Sequence, residues 1–310
     1  MPDRVDKALA LDKWSIGQLI SVFEDARPGA VAERREILSR LRGEAAVRSA
    51  RFIGITGTPG AGKSTLIGEL ALRMIGADAS IAVGVLAVDP TSPVSGGALL
   101  GDRTRVRFPA DEPRLFFRSQ ATDLDLGGIS RHTFSVCRLM QHLFDLVFVE
   151  TVGIGQSEVE VQHVADWVYL VLQPMAGDQI QFMKAGIMEI PDAFIVNKCD
   201  EARAADRTYH ALRSSLGLAR AGDVPIYRTS ATTGAGCDEL AADLLALRGR
   251  APTRTMAHKE AHFFEKWVAD EHGRNGLAAL RTRAPDIAAY IADCGGYDDA
   301  QAAFARELTP

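Results

Sequence analysis

Residues 57–64 read Gly-Thr-Pro-Gly-Ala-Gly-Lys-Ser, which matches the pattern G-x-x-x-x-G-K-[ST] of a phosphate-binding loop. The loop follows an apolar run at residues 52–56 and precedes a helical pattern. In that setting, the backbone N–H groups of the loop and the N-terminus of the following helix face the same anion. The motif therefore predicts a nucleoside triphosphate site at the end of a strand.

The residue types in the loop each have a chemical reason. Glycine lets the backbone approach phosphate oxygens without an obstructing side chain. Lys63 is expected to supply a positive charge to the outer phosphates, and the Ser64 hydroxyl is expected to coordinate an accompanying magnesium ion. The residues predicted to contact the nucleotide here are Gly57, Pro59, Gly60, Ala61, Gly62, Lys63, Ser64 and Thr65.

From residue 51 onward, short β-rich runs alternate with helical stretches. Several runs, such as residues 147–149 and 168–172, are apolar on both faces, as strands of a helix-covered parallel sheet must be. We therefore predict an α/β P-loop fold with a doubly wound, mostly parallel sheet. The predicted strands are residues 52–56, 81–88, 115–118, 146–151, 167–172, 193–196 and 225–228.

Helical patterns flank this predicted core. Residues 15–26 and 30–42 precede it, with Pro28-Gly29 as the break between them, and residues 255–308 look wholly helical. We predict an N-terminal extension at residues 1–50, a nucleotide-binding domain at 51–250 and a C-terminal extension at 251–310. An apolar stripe in the last segment is expected to pack within the chain. It consists of Met256, Phe263, Phe264, Trp267 and Val268.

Composition excludes several classes of partner and site. A net charge of −5, with both signs interspersed, favours neither nucleic acid nor an anionic membrane. The charged first 14 residues do not resemble a signal peptide, and no stretch is long and apolar enough to span a bilayer. The four cysteines lie far apart with no C-x-x-C pair, which favours reduced thiols in the cytoplasm.

A second motif, Asn197-Lys198-Cys199-Asp200, follows the predicted strand at residues 193–196. The Asp200 carboxylate can accept hydrogen bonds from the ring N–H and the exocyclic amine of guanine. Adenine would leave it unpaired, at a cost on the order of several kcal/mol. The motif therefore predicts a guanine nucleotide, and Ser230-Ala231 after the next strand is expected to support the base through backbone contacts.

Acidic residues at strand ends suggest how a metal ion would be held. Glu150 ends an apolar strand, where a carboxylate fits a magnesium or magnesium-water ligand, and the N–H of Gly153 fits a contact to the terminal phosphate. Asp89 closes another strand, and Asp102 lies in a charged loop. With Ser64, these three carboxylates form the predicted metal site; ordinary capping of strand ends or loops is the alternative for each.

Two other features are expected to carry little chemistry. Gln156 is not directly after Gly153, where signalling GTPases place a water-orienting glutamine, so intrinsic hydrolysis is expected to be slow. His258 and His262 lie one helical turn apart, but Glu260 is misplaced for the zinc-binding pattern H-E-x-x-H and no third ligand is apparent, so we expect the two histidines on a solvated helix face.

Taken together, these motifs resemble the G-protein chaperones of adenosylcobalamin-dependent acyl-CoA mutases. These are the methylmalonyl-CoA mutase-associated GTPases, once described as arginine/ornithine transport kinases. The resemblance spans nearly the whole chain, and its most specific block is residues 149–158. Beyond the phosphate loop it is carried by residues 88–92, 96–105, 126–128, 149–158, 176–178, 184–187 and 197–200.

The resemblance implies a P-loop GTPase fold and a partner enzyme. In such proteins, magnesium and nucleotide are held by residues matching Lys63 and Ser64 together with acidic residues matching Asp89, Asp102 and Glu150. A segment matching residues 176–184, with Asp178 and Lys184, acts as an extra switch that reports the nucleotide state to the mutase. The terminal helices are used for homodimerisation. GTP hydrolysis, accelerated by the mutase, gates delivery of intact adenosylcobalamin and removal of damaged cofactor.

Two departures from the family pattern bear on the partner. The switch reads Gly177-Asp178-Gln179-Ile180-Gln181 where Gly-Asp-Glu-Leu-Gln is common, and residues 129–133 also differ from the expected pattern. Methylmalonyl-CoA mutase is the default partner, and the 2-hydroxyisobutyryl-, isobutyryl- and ethylmalonyl-CoA mutases stay open. A P-loop kinase or ATPase of amino-acid transport and a metal-insertion GTPase are the alternative functions.

Overall fold

The computed structural model describes residues 2–25, 27–44, 47–89, 106, 108–121, 129, 131–151, 160–174, 190–219 and 224–308. Within these residues the centre of the fold is a seven-stranded sheet in which every neighbouring pair is parallel. The strand order is β3-β2-β4-β1-β5-β6-β7. The strands are β1 (Arg51–Gly57), β2 (Val83–Asp89), β3 (Leu115–Ala121), β4 (Leu146–Glu150), β5 (Trp167–Leu172), β6 (Ala193–Val196) and β7 (Ile226–Arg228).

This topology confirms the predicted α/β fold. The strand β1 lies at the centre, between β4 and β5, with Ile55 opposite Glu150 and Gly57 opposite Val171. Because all strands run in one direction, their carboxyl ends share one edge of the sheet. That edge is where a doubly wound fold places its ligand.

Helices cover both faces of the sheet. They are α1 (Pro2–Leu9), α2 (Lys13–Glu24), α3 (Pro28–Gly43), α4 (Lys63–Ala77), α5 (Arg131–Leu143), α6 (Ala202–Ala219), α7 (Cys237–Ala246), α8 (Met256–Arg283), α9 (Ile287–Asp293) and α10 (Tyr297–Leu308). Short 3₁₀ helices occupy Val161–His163 and Leu247–Gly249. No helix within the described ranges combines the length and apolar character that crossing a bilayer requires.

The N-terminal helices differ from the sequence expectation in two ways. Helix α1 was not predicted, because eight residues span little more than two turns, which is shorter than the window in which a helical period can be recognised. Pro28, expected to be a break, lies instead in the first turn of α3, where the missing N–H of proline is tolerated. Helix α2 begins with a side-chain cap, in which the Ser15 N–H donates to the Asp12 carboxylate at 2.8 Å.

Successive residues of a strand point to opposite faces of the sheet, and each face has its own hydrophobic core. On β1, Phe52 belongs to the core shared with the N-terminal helices, α5 and the C-terminal helices, whereas Ile53 and Ile55 belong to the core under α4 and α7. Phe263 and Phe264 of α8 are fully buried in the first core. The apolar stripe of the C-terminal segment thus packs within the chain, as predicted.

A buried ion pair fastens the C-terminal segment to the sheet. Lys259 Nζ of α8 lies 2.6 Å from the Asp166 carboxylate, and the two side chains are only 3% and 4% exposed. Asp166 also accepts a hydrogen bond from the Phe52 N–H at 2.8 Å, and its carbonyl accepts one from the Thr253 hydroxyl at 2.8 Å. One carboxylate therefore joins α8, β1 and the start of β5.

The expectation for His262 was wrong. Its imidazole is half-buried and stacks on that of His163, with ring centroids 3.6 Å apart and planes within 7°. Burial, followed by the neighbouring imidazole, lowers the pKa of His163 to about 4. The Lys266 ammonium lies 3.1 Å from the Glu160 carboxylate beside this stack. His258 is exposed, as expected.

The two ends of the chain meet. Arg35 of α3 donates to the Asp298 carbonyl of α10 at 2.9 Å, and the Asp298 carboxylate lies 2.9 Å from Arg138 of α5 and 3.9 Å from Arg34 of α3. Asp298 and Arg138 are nearly fully buried. The first and last helices therefore form one layer on the sheet.

Candidate nucleotide site

The phosphate-loop residues bridge the end of β1 and the start of α4. Gly57 has φ +137° and Gly62 has φ +85°, a region that residues with a Cβ atom rarely adopt. A Cβ at Gly57 would lie 2.0 Å from the Val171 carbonyl oxygen, and one at Gly62 would lie 2.7 Å from the Asn197 amide nitrogen. Both glycines are thus required by backbone conformation and by close neighbours.

The predicted charged and hydroxyl groups of the loop are buried beneath it. Lys63 is 7% exposed, and its ammonium donates to the carbonyl oxygens of Gly57 at 2.9 Å and Thr58 at 3.3 Å. A buried ammonium needs such partners. The cation therefore lies inside the curve of the loop, where an anion bound there would meet it.

Ser64 and Glu150 come together from different elements. The Ser64 hydroxyl, in the first turn of α4, donates to the Glu150 carboxylate at the end of β4 at 2.7 Å, and both residues are 5% exposed. The next residue, Thr151, donates through its hydroxyl to Thr56 of β1 at 3.0 Å. Two hard oxygen donors thus adjoin each other beside the phosphate loop, which is the ligand chemistry that magnesium prefers.

Asn197 connects the two predicted motifs. Its side-chain amide donates to the Ala61 carbonyl of the phosphate loop at 2.9 Å. Its amide oxygen accepts from the Thr229 hydroxyl and from the Ala231 N–H, each at 3.2 Å. Because Asn197 is 1% exposed, these bonds are shielded from water. One side chain thus holds three loops together.

The remaining residues of the second motif face the surface. Lys198 is exposed, has φ +61°, and donates to the Gln173 side chain at 3.3 Å. Asp200 is also exposed, and its carboxylate accepts a hydrogen bond from the Ser230 hydroxyl. A carboxylate held at this edge by a fixed donor, with further lone pairs available, can accept two N–H groups from a base.

The structure brings the described members of the predicted site to one edge of the sheet. The described residues of the phosphate loop, Glu150, Asn197, Lys198, Asp200, Ser230 and Ala231 all lie along the carboxyl-terminal edge of β1, β4, β6 and β7. Pro59, Gly60 and Thr65 are exposed there, and Ala61 is buried. Asp89 ends β2, but its side chain is outside the described part of the chain, as are Asp102, Gly153, Gln156, Asp178 and Lys184.

Thr229, whose buried hydroxyl donates to the Asn197 amide oxygen, was not predicted from the sequence. Its signal was available, since a threonine at the end of a strand directly precedes the predicted Ser230-Ala231 pair. Over the described residues, no three His, Cys, Asp or Glu side chains form a group that could hold a metal ion. The three-carboxylate arrangement of Asp89, Asp102 and Glu150 stays a prediction, because Asp102 and the Asp89 side chain lie outside the described residues.

Comparisons with known proteins find a family model and several relatives. Residues 16–272 match the family model described as methylmalonyl Co-A mutase-associated GTPase MeaB. A predicted GTPase of Pyrococcus horikoshii is 42% identical over 236 residues, covering 74% of this chain and 72% of its own. Another, of Caulobacter vibrioides, is 33% identical over 300 residues, covering 93% and 89%.

A eukaryotic relative and a solved structure extend the comparison. The Caenorhabditis elegans protein named methylmalonic aciduria type A homolog, mitochondrial, is 34% identical over 195 residues, which cover 60% of this chain and 49% of its own. The crystal structure of a LAO/AO transport system kinase superposes with a TM-score of 0.66 at 22% identity, covering all of this chain and 93% of its own. The latter likeness concerns the fold alone. On the family match and the two long relatives, the chain belongs to the MeaB family of GTPases associated with methylmalonyl-CoA mutase.

Proposed function

We propose that this protein is a magnesium-dependent GTP hydrolase that acts as a chaperone of an adenosylcobalamin-dependent acyl-CoA mutase, with methylmalonyl-CoA mutase as the first candidate. Hydrolysis gates loading of intact adenosylcobalamin and removal of damaged cofactor. The observation that carries the proposal is the Asn197 bridge, which joins a phosphate loop to a guanine-type motif in a chain of this family. The mutase association in the family description supports the choice of partner.

In the proposed site, the triphosphate occupies the phosphate loop. The Lys63 ammonium now binds the neutral Gly57 and Thr58 carbonyls, and it would bind anionic phosphate oxygens more strongly. Water attacks the γ-phosphorus, the bond to the β–γ bridging oxygen breaks, and GDP and inorganic phosphate leave. The Gly153 N–H is proposed to contact the γ-phosphate.

The residues that would hold magnesium are Ser64 and Glu150, joined by Asp89 and Asp102. The 2.7 Å contact between the Ser64 hydroxyl and Glu150 fits this proposal, because both are buried oxygen donors next to the loop. Magnesium would neutralise charge that builds up on the phosphate oxygens. Without that neutralisation the carboxylates would repel the triphosphate, so nucleotide affinity should depend steeply on magnesium.

Base selection is proposed to come from Asp200. Its carboxylate, already positioned by Ser230, would accept the guanine ring N–H and exocyclic amine, and the Ala231 backbone would contact the base. Replacing Asp200 with Asn converts one acceptor oxygen to a donor. Preference should then shift from GTP toward xanthosine triphosphate, which carries an oxygen where guanine has its amine.

The decisive experiment is GTP turnover measured with and without each purified candidate mutase. We expect slow basal turnover and a large stimulation by one mutase. Lys63→Ala should abolish both through loss of triphosphate binding, whereas Lys184→Ala, in the proposed extra switch, should spare the basal rate and reduce the stimulation. Turnover that no mutase changes would contradict the chaperone function. The homodimer expected from the terminal helices and a cytoplasmic location belong to the same proposal.

A further inference from the structure

The loop at residues 230–236 follows β7 and is closed by its own backbone. The Ser230 N–H donates to the Ala235 carbonyl at 2.9 Å, and the Gly234 N–H donates to the Ser230 carbonyl at 2.8 Å. The Thr233 N–H donates to the Ser230 hydroxyl at 3.2 Å, the same hydroxyl that donates to Asp200. A shift of this turn therefore moves the group that orients the Asp200 carboxylate.

At Gly234 a side chain from another element lies against the turn. Its φ is +79°, and a Cβ built there would lie 2.2 Å from Nη2 of Arg73. The guanidinium of Arg73 thus occupies the space that a side chain at position 234 would need. Glycine serves here both for its backbone conformation and for the close approach.

Arg73 is held against the turn by two carboxylates. Its Nε donates to Glu69 at 2.9 Å one helical turn earlier on α4, and its Nη1 donates to Asp238 in the first turn of α7. The Arg73 side chain is 26% exposed, and the hydrogen bond to Asp238 raises its pKa. Leu66 and Leu70 of α4 and Leu240 of α7 lie in the core below, so the cation closes the top of a packed helix pair.

We propose that Arg73 is a positioning residue for guanine recognition, acting through the turn at Gly234. Helix α4 begins at Lys63 and Ser64, so the element that starts at the phosphates also supports the loop that orients Asp200. Arg73 thereby sets the separation between the phosphate and base ends of the site. The proposal rests on the guanine specificity assigned to Asp200 above.

The test compares the affinity of three ligands for the wild type and three variants by calorimetry in magnesium buffer. The ligands are GTP, ITP, which lacks the exocyclic amine of guanine, and inorganic tripolyphosphate. Arg73→Met keeps the length of the side chain without its charge or donors, and Arg73→Lys restores the charge. Arg281→Met, at an exposed position on α8, is the matched control.

We expect Arg73→Met to weaken GTP binding by about fivefold or more, because a loosened turn misplaces a charged hydrogen-bond acceptor. ITP should weaken less, tripolyphosphate should not change, Arg73→Lys should recover part of the GTP affinity, and Arg281→Met should match the wild type. Equal weakening of all three ligands, or no change in the GTP-to-ITP ratio, would overturn the proposal. A wild type that binds GTP and ITP equally would overturn the Asp200 assignment as well.

Discussion

Replacing Asn197 with Ala should both destabilise the protein and weaken GTP binding. The substitution removes three buried hydrogen bonds, to the Ala61 carbonyl, the Thr229 hydroxyl and the Ala231 N–H. At about 1 kcal/mol of net stabilisation for each bond, the free energy of unfolding should fall by about 3 kcal/mol. The fall should be larger if the partners stay dry, since an unsatisfied buried group costs about 1–3 kcal/mol.

A graded control is available in Thr229→Val. Valine has a side chain of similar shape without the hydroxyl, so this variant leaves Asn197 bonded to Ala61 and Ala231. This change should lower the free energy of unfolding by about 1 kcal/mol, a third of the effect of Asn197→Ala. Urea unfolding of the nucleotide-free protein, followed by tryptophan fluorescence and circular dichroism, measures both values.

The affinity for GTP distinguishes a loss of stability from a loss of nucleotide binding. Because Asn197 fixes the phosphate loop against the base motif, Asn197→Ala should raise the Kd for GTP by at least about tenfold, equal to about 1.4 kcal/mol. Thr229→Val should leave that Kd within about threefold. Asn197 would not hold these loops together as described if Asn197→Ala cost no more stability than Thr229→Val, or if it left GTP affinity unchanged.

Three further outcomes follow from the geometry. Gly62→Ala should abolish nucleotide binding and cost about 1–2 kcal/mol of stability, because the φ of Gly62 is +85° and a Cβ there would clash. The control is Gly17→Ala inside α2, which has open space around it and should stabilise the protein by up to about 1 kcal/mol in thermal and chemical unfolding. Lys259→Met should cost about 3–5 kcal/mol in urea unfolding by leaving the buried Asp166 carboxylate without its cation, and adding Asp166→Asn should recover part of that loss. His163 binds fewer protons in the folded than in the unfolded protein, because folding lowers its pKa from 6.5 to about 4. The contribution of neutral His163 to folding stability is therefore complete above pH 6.5 and is lost as the pH falls toward 4. His163→Phe should make the melting temperature less dependent on pH across that window.

Each of these three predictions can be contradicted by a specific result. A Gly62→Ala protein that binds GTP normally would mean that the loop does not need its left-handed turn. If Lys259→Met is as stable as the wild type, the ion pair to Asp166 does not fasten the C-terminal segment. An unchanged pH profile in His163→Phe would show that burial does not lower the pKa of His163 in the folded protein.

The sequence predicted the parts of the site that are local. The phosphate loop and the Asn197 motif were found because glycine, lysine and carboxylate chemistry at fixed spacing constrains a short stretch of backbone. Glu150 was found because it ends an apolar strand. Its hydrogen bond to Ser64 could not be found in the same way, since it joins residues 86 positions apart and depends on β4 lying next to β1.

The errors have the same physical origin. His262 was assigned to a solvated face from its helical spacing, but that spacing says nothing about a stack with His163 from another element. No function was predicted for Arg73, because the approach of its guanidinium to Gly234 joins residues far apart in the sequence. Tertiary contacts decide the use of such side chains, whereas local patterns decide only the element on which they lie.

The contact between α3 and α10 has a consequence for synthesis. Arg34 emerges from the ribosome 264 residues before its partner Asp298, an interval of about 13–53 seconds at 5–20 residues per second. During that interval the apolar face of the first helices lacks part of its final cover. The phosphate loop, the Asn197 motif and the turn at residues 230–236 with its contact at Asp238 all precede Asp298 in the sequence, so they have been synthesised before the terminal layer can close. A nascent chain therefore has every predicted nucleotide-contacting residue before it has the C-terminal helices that share a core with its N-terminal helices.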